Sequence, residues 1–148
     1  MKRDIVIDTM LPHAPEVVWR ALTTAELIGK WLMPNNFKAE LGHKFTFHAK
    51  PMGDWDGTVQ CEVIAIEPPR RLAYSWKGGS TSNPGYGSAL DSTVTWTLEP
   101  ADGGTRLTLV HAGFELPRNQ SAYDAMSPGW GRIVREGIAR VVAQLPSS

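Results

Sequence analysis

Apolar Ile5, Ile7 and Leu11, in phase with Thr9, alternate with Asp4, Val6, Asp8 and Met10 near the start of the chain. That period of two predicts a strand with one apolar face. The phase breaks at Pro12-His13-Ala14-Pro15-Glu16, which predicts a helix start: Pro15 suits the first turn, and Glu16 sets a negative charge at the helix N-terminus. Val17, Val18, Ala21 and Leu22 give this helix its apolar stripe. Thr23-Thr24 interrupts the run and offers a cap to a second short helix, Ala25 to Trp31, which Pro34-Asn35-Asn36 ends.

From Phe37 to Phe114 the period returns to two. Turn signals at Leu41-Gly42, Gly53-Asp54, Pro68-Pro69, Lys77 to Ser88 and Asp102-Gly103-Gly104 divide this stretch into an antiparallel meander, giving about seven strands with the first. Phe45, Phe47 and Ala49 share one face, as do Leu72, Tyr74 and Trp76, then Val94, Trp96 and Leu98, then Leu107, Leu109 and His111. Thr58 to Ile66 keeps no clean parity, with Val59, Cys61 and Val63 on one face and Ile64 and Ile66 on the other, which predicts a bulge or a strand covered on both sides. The Gly- and Ser-rich stretch Lys77 to Leu90 reads as a hairpin loop, since strand pattern resumes after it.

Helical spacing reappears from Tyr123 to Leu145, where Met126, Trp130, Ile133, Val134, Ile138, Val141, Val142 and Leu145 form one wide apolar stripe and Glu136 and Arg140 stand four apart on its outer side. A sheet with one apolar face and a long helix with one apolar stripe must cover each other, which predicts an α+β domain over residues 1–148 without internal boundary or repeat. A strongly curved sheet wrapped around a helix tends to leave a gap between them, a common place for a ligand.

The motifs Val17-Val18-Trp19-Arg20-Ala21-Leu22-Thr23, Lys30-Trp31, Glu67-Pro68-Pro69-Arg70-Arg71-Leu72-Ala73-Tyr74-Ser75-Trp76, Gly104-Thr105-Arg106-Leu107-Thr108-Leu109, His111-Ala112-Gly113-Phe114 and Gly129-Trp130 follow one another in this order. Over nearly the whole chain they resemble the START-like (SRPBCC) superfamily, and within it the Aha-type family, relatives of the C-terminal domain of the activator of heat-shock-protein ATPase. The resemblance implies a helix-grip fold, a curved antiparallel sheet around a long C-terminal helix with two short helices after the first strand and a cavity between sheet and helix. The superfamily includes lipid carriers, hormone and flavonoid binders, polyketide cyclases and aromatases, and the co-chaperone domain itself. No separate N-terminal domain of the eukaryotic co-chaperone is expected here.

Charge narrows the partners. In the 148 residues, 15 Lys and Arg balance 15 Asp and Glu, so no net field favours phosphate backbones or anionic lipid, and nucleic acid is not an expected partner. No window approaches the roughly eighteen consecutive apolar residues of a membrane helix, and the start is too short and too charged for a signal peptide. Cys61 stands alone, so no internal disulfide forms and a cytoplasmic setting is expected. The compositional oddity is the 6 tryptophans, which supply core area or the walls of a site.

Parity sets Phe47, Leu72, Trp76, Val94, Trp96 and Leu109 toward the expected cavity, with Met126, Trp130 and Ile133 facing them from the helix. His111 and Tyr74 are the polar members of this set. For His111 three readings stand: a strand-end histidine bonded to the next loop, a ligand contact, or a proton carrier. Trp31-Leu32-Met33-Pro34, Met52, Trp55 and Phe114 are placed at the mouth, and Gly137 on the helix leaves room either for a bulky neighbour or for a ligand. The candidate ligand-binding residues are thus Trp31, Phe47, Tyr74, Trp76, Trp96, Leu109, His111, Met126, Trp130, Ile133 and Gly137. His43 and His48 point to opposite faces, Cys61 lies among apolar neighbours, and no Gly-rich phosphate loop links a strand to a helix. No metal, cofactor or catalytic set is therefore expected. The reading that follows is non-catalytic binding of a small hydrophobic or aromatic molecule, as carrier or sensor. Its alternatives are a cyclase- or aromatase-like enzyme using His111 and Tyr74, and a module that contacts a chaperone.

Overall fold

The alternation at the start of the chain becomes strand β1 (Lys2–Leu11), which buries Ile5, Ile7 and Leu11 and leaves Val6 and Met10 exposed. The computed structural model describes residues 2–49, 57–78 and 90–145. Helix α1 (Pro15–Thr23) begins on Pro15 and buries Val17, Val18, Ala21 and Leu22, as its stripe requires. Helix α2 (Ala25–Trp31) has Thr24 at its N-cap position, but the Thr24 side chain makes no capping bond and the Thr23 hydroxyl donates instead to the Trp19 carbonyl at 2.8 Å. The expected threonine cap is absent, since Thr23 turns back onto α1 and Thr24 supplies only its extended backbone.

Strands β2 (Lys44–His48), β3 (Thr58–Glu67), β4 (Arg71–Gly78), β5 (Leu90–Ala101) and β6 (Gly104–Glu115) follow, all paired antiparallel in the order β1-β6-β5-β4-β3-β2. The described residues therefore form 6 strands, not about seven. The strand expected just after Phe37 does not form, because asparagine side chains take its place in the ladder: Asn35 Oδ1 accepts from the Phe37 amide at 3.0 Å and Asn36 Oδ1 from the Thr46 amide at 2.8 Å. Only the isolated bridge Asn35 to Phe47 remains of that pairing. The broken parity of β3 is a bulge, with the register against β4 shifting between Val63 and Ala65 so that Val63 is buried and Ile64 faces out.

A second irregularity matters more for the interior. Gly113, with φ of +111°, falls out of register where β6 pairs Phe114 with Arg3 and Ala112 with Asp4. The inserted residue reverses the parity of β6, so that His111 and Phe114, three apart, both point inward and their rings meet at 4.7 Å between centroids. Phe114, expected at the mouth, is fully enclosed for this reason.

The C-terminal helix starts earlier than its apolar spacing predicts and is not one regular helix. Helix α3 (Gln120–Arg132) passes through a π-helical turn, Ile133–Gly137, into α4 (Ile138–Ala143). In that turn the Ile138 amide bonds to the Ile133 carbonyl, five residues back, and the extra residue keeps Trp130, Val134, Ile138 and Val142 on the buried side. The expected ion pair between Glu136 and Arg140 is not among the ion pairs of the described residues. The helical run lies on the concave face of the sheet with α1 and α2 packed beside α4. Trp96, Phe47, Leu72, Leu98, Leu107, Leu109 and Ile138 fill the space between. Truncating any one large member of such a core to alanine typically costs about 2–5 kcal/mol.

Candidate functional site

Met126, Gly129, Trp130 and Ile133 recur at the spacing of one helical face, and that face looks across at Trp76 of β4 and at Leu32 and Met33, which leave the end of α2. Between them lies an open depression of about 230 Å³, lined by Leu32, Met33, Trp76, Ala125, Met126, Gly129, Trp130 and Ile133. No charged side chain of a described residue lines it. The hollow thus sits at the rim of the sheet–helix seam, whereas the seam's centre is filled by aromatic side chains meeting edge to face: Trp96 to Trp130 at 5.8 Å, Trp76 to Trp130 at 5.7 Å and Trp31 to Trp96 at 5.6 Å.

Beneath the depression a chain of hydrogen bonds joins its two walls. The Trp130 indole N–H donates to His111 Nδ1 at 3.0 Å, His111 Nε2 lies 2.8 Å from Ser92 Oγ, and Ser92 Oγ donates to the Trp76 carbonyl at 2.8 Å. An indole can only donate, so Nδ1 accepts; Ser92 has given its proton to a carbonyl, so Nε2 carries the hydrogen that Ser92 accepts. His111 is fully buried, and burial lowers its pKa to about 3. It is a neutral imidazole with both nitrogens engaged. The helix face and strand β4 are held together through it.

The candidate residues therefore separate by place. Trp76, Met126, Trp130 and Ile133 border the depression, together with Leu32 and Met33. Phe47, Trp96 and Leu109 are closed inside the core, and so is Tyr74, whose hydroxyl accepts the Trp96 indole N–H at 3.0 Å and is pushed up in pKa by burial. Trp31 is buried with its indole N–H on the Ala21 carbonyl at 2.8 Å, and Gly137 faces it, so a Cβ at Gly137 would stand 3.7 Å from the Trp31 Cβ. His111 bonds to β5 and α3 rather than to a neighbouring loop. Cys61 is buried, with its thiol pKa raised by that burial, and has no part in the histidine's bonding. Met52 and Trp55 lie outside the described residues. Sequence reasoning missed Ser92, although its parity with Val94 and Trp96 already put a hydroxyl on the apolar face. It missed Gly129 and Ala125 too, which the helical spacing to Met126 and Ile133 would have found. Among the described residues no group of three or more His, Cys, Asp and Glu is placed to hold a metal, and no helix is long and apolar enough to cross a membrane.

Comparison with known proteins shows where this fold recurs. Protein MLL2253 of Mesorhizobium loti has a crystal structure that matches with a TM-score of 0.84 and 36% identity over 97% of this chain and 99% of that one. DynU16, from the dynemicin biosynthetic locus, matches with a TM-score of 0.73 at 22% identity over 95% of this chain and 47% of its own. The Aha1 dimer of Colwellia psychrerythraea matches with a TM-score of 0.69 at 16% identity over 89% of this chain and 90% of that one. The latter two share the fold. No curated protein sequence matches the chain. The family model for activator of Hsp90 ATPase homolog 1-like proteins matches residues 12–143, and with the helix-grip order of sheet and helix observed here, the chain belongs to that family.

Proposed function

We propose that this protein binds, without catalysis, a small uncharged apolar or aromatic molecule in the depression between α3, β4 and the segment after α2. One observation carries the reading: an open hollow of about 230 Å³ is walled by Trp76, Trp130, Met126, Met33, Leu32 and Ile133 with no charged side chain among the described lining residues. Apolar concavities of this kind gain by trading water for a ligand, and an ionised group placed there would lose its hydration with nothing to replace it. Methionines on both sides give a wall that adapts its shape. The volume exceeds the roughly 150 Å³ of an apolar cavity that admits benzene and falls below the ~300 Å³ at which pockets for drug-sized ligands begin, which suits a molecule of one or two rings. The cyclase-like alternative asks for a group able to exchange protons in the hollow, and His111 is buried, neutral and doubly hydrogen-bonded.

The test is a titration of the isotope-labelled protein with one- and two-ring neutral compounds, followed by NMR and by thermal unfolding. Shifts confined to the resonances of Leu32, Met33, Trp76, Met126, Trp130 and Ile133, with a rise in Tm, are expected for at least one compound. Saturable binding that shifts only residues elsewhere, or no binding by any of them, would overturn the reading.

A further inference from the structure

The buried tryptophans differ in what their indole N–H groups meet. Trp31 donates to the Ala21 carbonyl at 2.8 Å, Trp96 to the Tyr74 hydroxyl at 3.0 Å and Trp130 to His111 at 3.0 Å. Trp76 is 4% exposed, yet among the described residues its indole nitrogen has no acceptor. No side-chain nitrogen or oxygen of a described residue is both shut off from solvent and unpartnered, so the Trp76 nitrogen must keep an opening to solvent. Trp76 itself is a wall of the depression. Its ring is held there by Phe47 at 5.3 Å, His111 at 5.2 Å and Trp130 at 5.7 Å, and its carbonyl by Ser92. The ring is a fixed part of an apolar wall, and an indole N–H withdrawn from most of its water gains from any acceptor brought to it.

We infer that the Trp76 indole N–H is the polar contact of the depression, and that the ligand it selects is a neutral one- or two-ring molecule carrying a hydrogen-bond acceptor such as a ketone. This rests on the binding function proposed above and makes it specific. The other polar groups near the walls are engaged: the Trp130 N–H is held by His111, and both nitrogens of His111 by Trp130 and Ser92. An acceptor of neutral character fits where a carboxylate does not, because no cationic side chain of a described residue lines the hollow.

Indan-1-one and indane form a matched pair of nearly equal size that differ in the acceptor, and each is titrated into the wild-type protein and into Trp76→Phe. The variant keeps an aromatic ring and loses the donor. A neutral hydrogen bond corresponds to about a three- to tenfold loss of affinity. The variant is expected to weaken indan-1-one by that factor and indane by less than about twofold. In the wild-type protein the Trp76 indole proton resonance is expected to move downfield with the ketone and not with the hydrocarbon. That wild-type shift decides alone if Trp76→Phe does not fold. Should both compounds bind the wild type, with the ketone no more sensitive to Trp76→Phe than indane and the indole resonance unmoved, the donor role is overturned and the binding function stands. If neither compound binds the wild type, the acceptor-bearing ligand inferred here falls, and the binding function falls with it only when no compound of the one- and two-ring panel binds.

Discussion

The indole N–H of Trp130 donates to Nδ1 of His111 at 3.0 Å, which fixes the hydrogen on Nε2 and keeps the imidazole neutral inside the core. Its ring neighbours Trp76, Phe114 and Trp130 and its partner Ser92 include no ionisable group that would offset a positive charge. The folded pKa is about 3, against roughly 6.5 in an unfolded chain. Between these values the unfolded chain binds the proton and the folded one refuses it, so the stabilisation is complete above about pH 6.5 and is lost as the pH falls toward 3, by roughly 1.4 kcal/mol per unit. His111→Gln removes the titration while keeping a donor and an acceptor. Urea unfolding of both proteins from pH 4 to pH 7 is expected to show the wild-type stability falling more steeply with acid than the variant's. Parallel curves would mean that His111 takes up its proton in the folded state as readily as in the unfolded one.

Ser92 joins this histidine to the carbonyl of Trp76. Ser92→Ala leaves the His111 Nε2–H without a partner and puts back only a methyl group. A loss of about 1–3 kcal/mol is expected, read as a lower urea midpoint with unchanged slope. Ser92→Thr, which retains the hydroxyl, should recover part of it. An alanine variant within about 0.3 kcal/mol of wild type would show that the relay does not hold the walls together.

How far the sequence revealed this arrangement depends on the range over which each feature is determined. Period-two alternation is local, and it placed Phe47, Tyr74, Trp96, Leu109 and His111 on the inner face correctly, because each side chain's direction follows from its neighbours along one strand. What lies opposite that face is a tertiary matter. Parity could not say that Trp96 and Phe47 would be covered completely while Trp76, on the same face, would reach the rim. The bulge at Gly113 and the π-helical turn at Ile133–Gly137 each insert one residue without the run of mixed parity that marks the β3 bulge in the sequence. The first of them is why Phe114 lies inside. The absent strand after Phe37 has the same kind of cause, since Asn35 and Asn36 satisfy backbone amides that a ladder would otherwise satisfy.

Gly113 tests the bulge. Its φ of +111° strains any residue with a side chain, and a Cβ there would stand 3.0 Å from the Asp91 carbonyl oxygen and 3.2 Å from the Ser92 Cα. Gly113→Ala is expected to cost about 1–3 kcal/mol from backbone strain, with a further loss as Ser92 is pushed from His111. The His111 side-chain resonances should move with it. Unchanged resonances in a protein of wild-type stability would show that β6 takes another path around this residue.

The two helix glycines near the site make opposite predictions for the same kind of change. Gly129 lines the depression, and a Cβ built on it meets nothing within 4 Å. Gly137 sits in the π-helical turn against Trp31, with the Trp31 Cβ and carbonyl oxygen each 3.7 Å from where its Cβ would be. Alanine at either position fits without overpacking, so each is expected to raise stability by up to about 1 kcal/mol, the difference in helix propensity. Leucine separates them. At Gly129 the longer side chain can extend over the hollow without displacing protein, so Gly129→Leu should fold with at least wild-type stability and lose ligand-induced shifts and stabilisation. At Gly137 the branch beyond Cβ must displace Trp31, whose indole is tied to Ala21, and Gly137→Leu should cost about 1–3 kcal/mol through overpacking while a ligand in the depression, which neither Gly137 nor Trp31 lines, still binds. Both outcomes are read from one pair of thermal-unfolding titrations. A Gly129→Leu protein that binds as the wild type does would move the ligand out of this depression. Loss of binding in a folded Gly137→Leu protein would move the ligand toward Trp31.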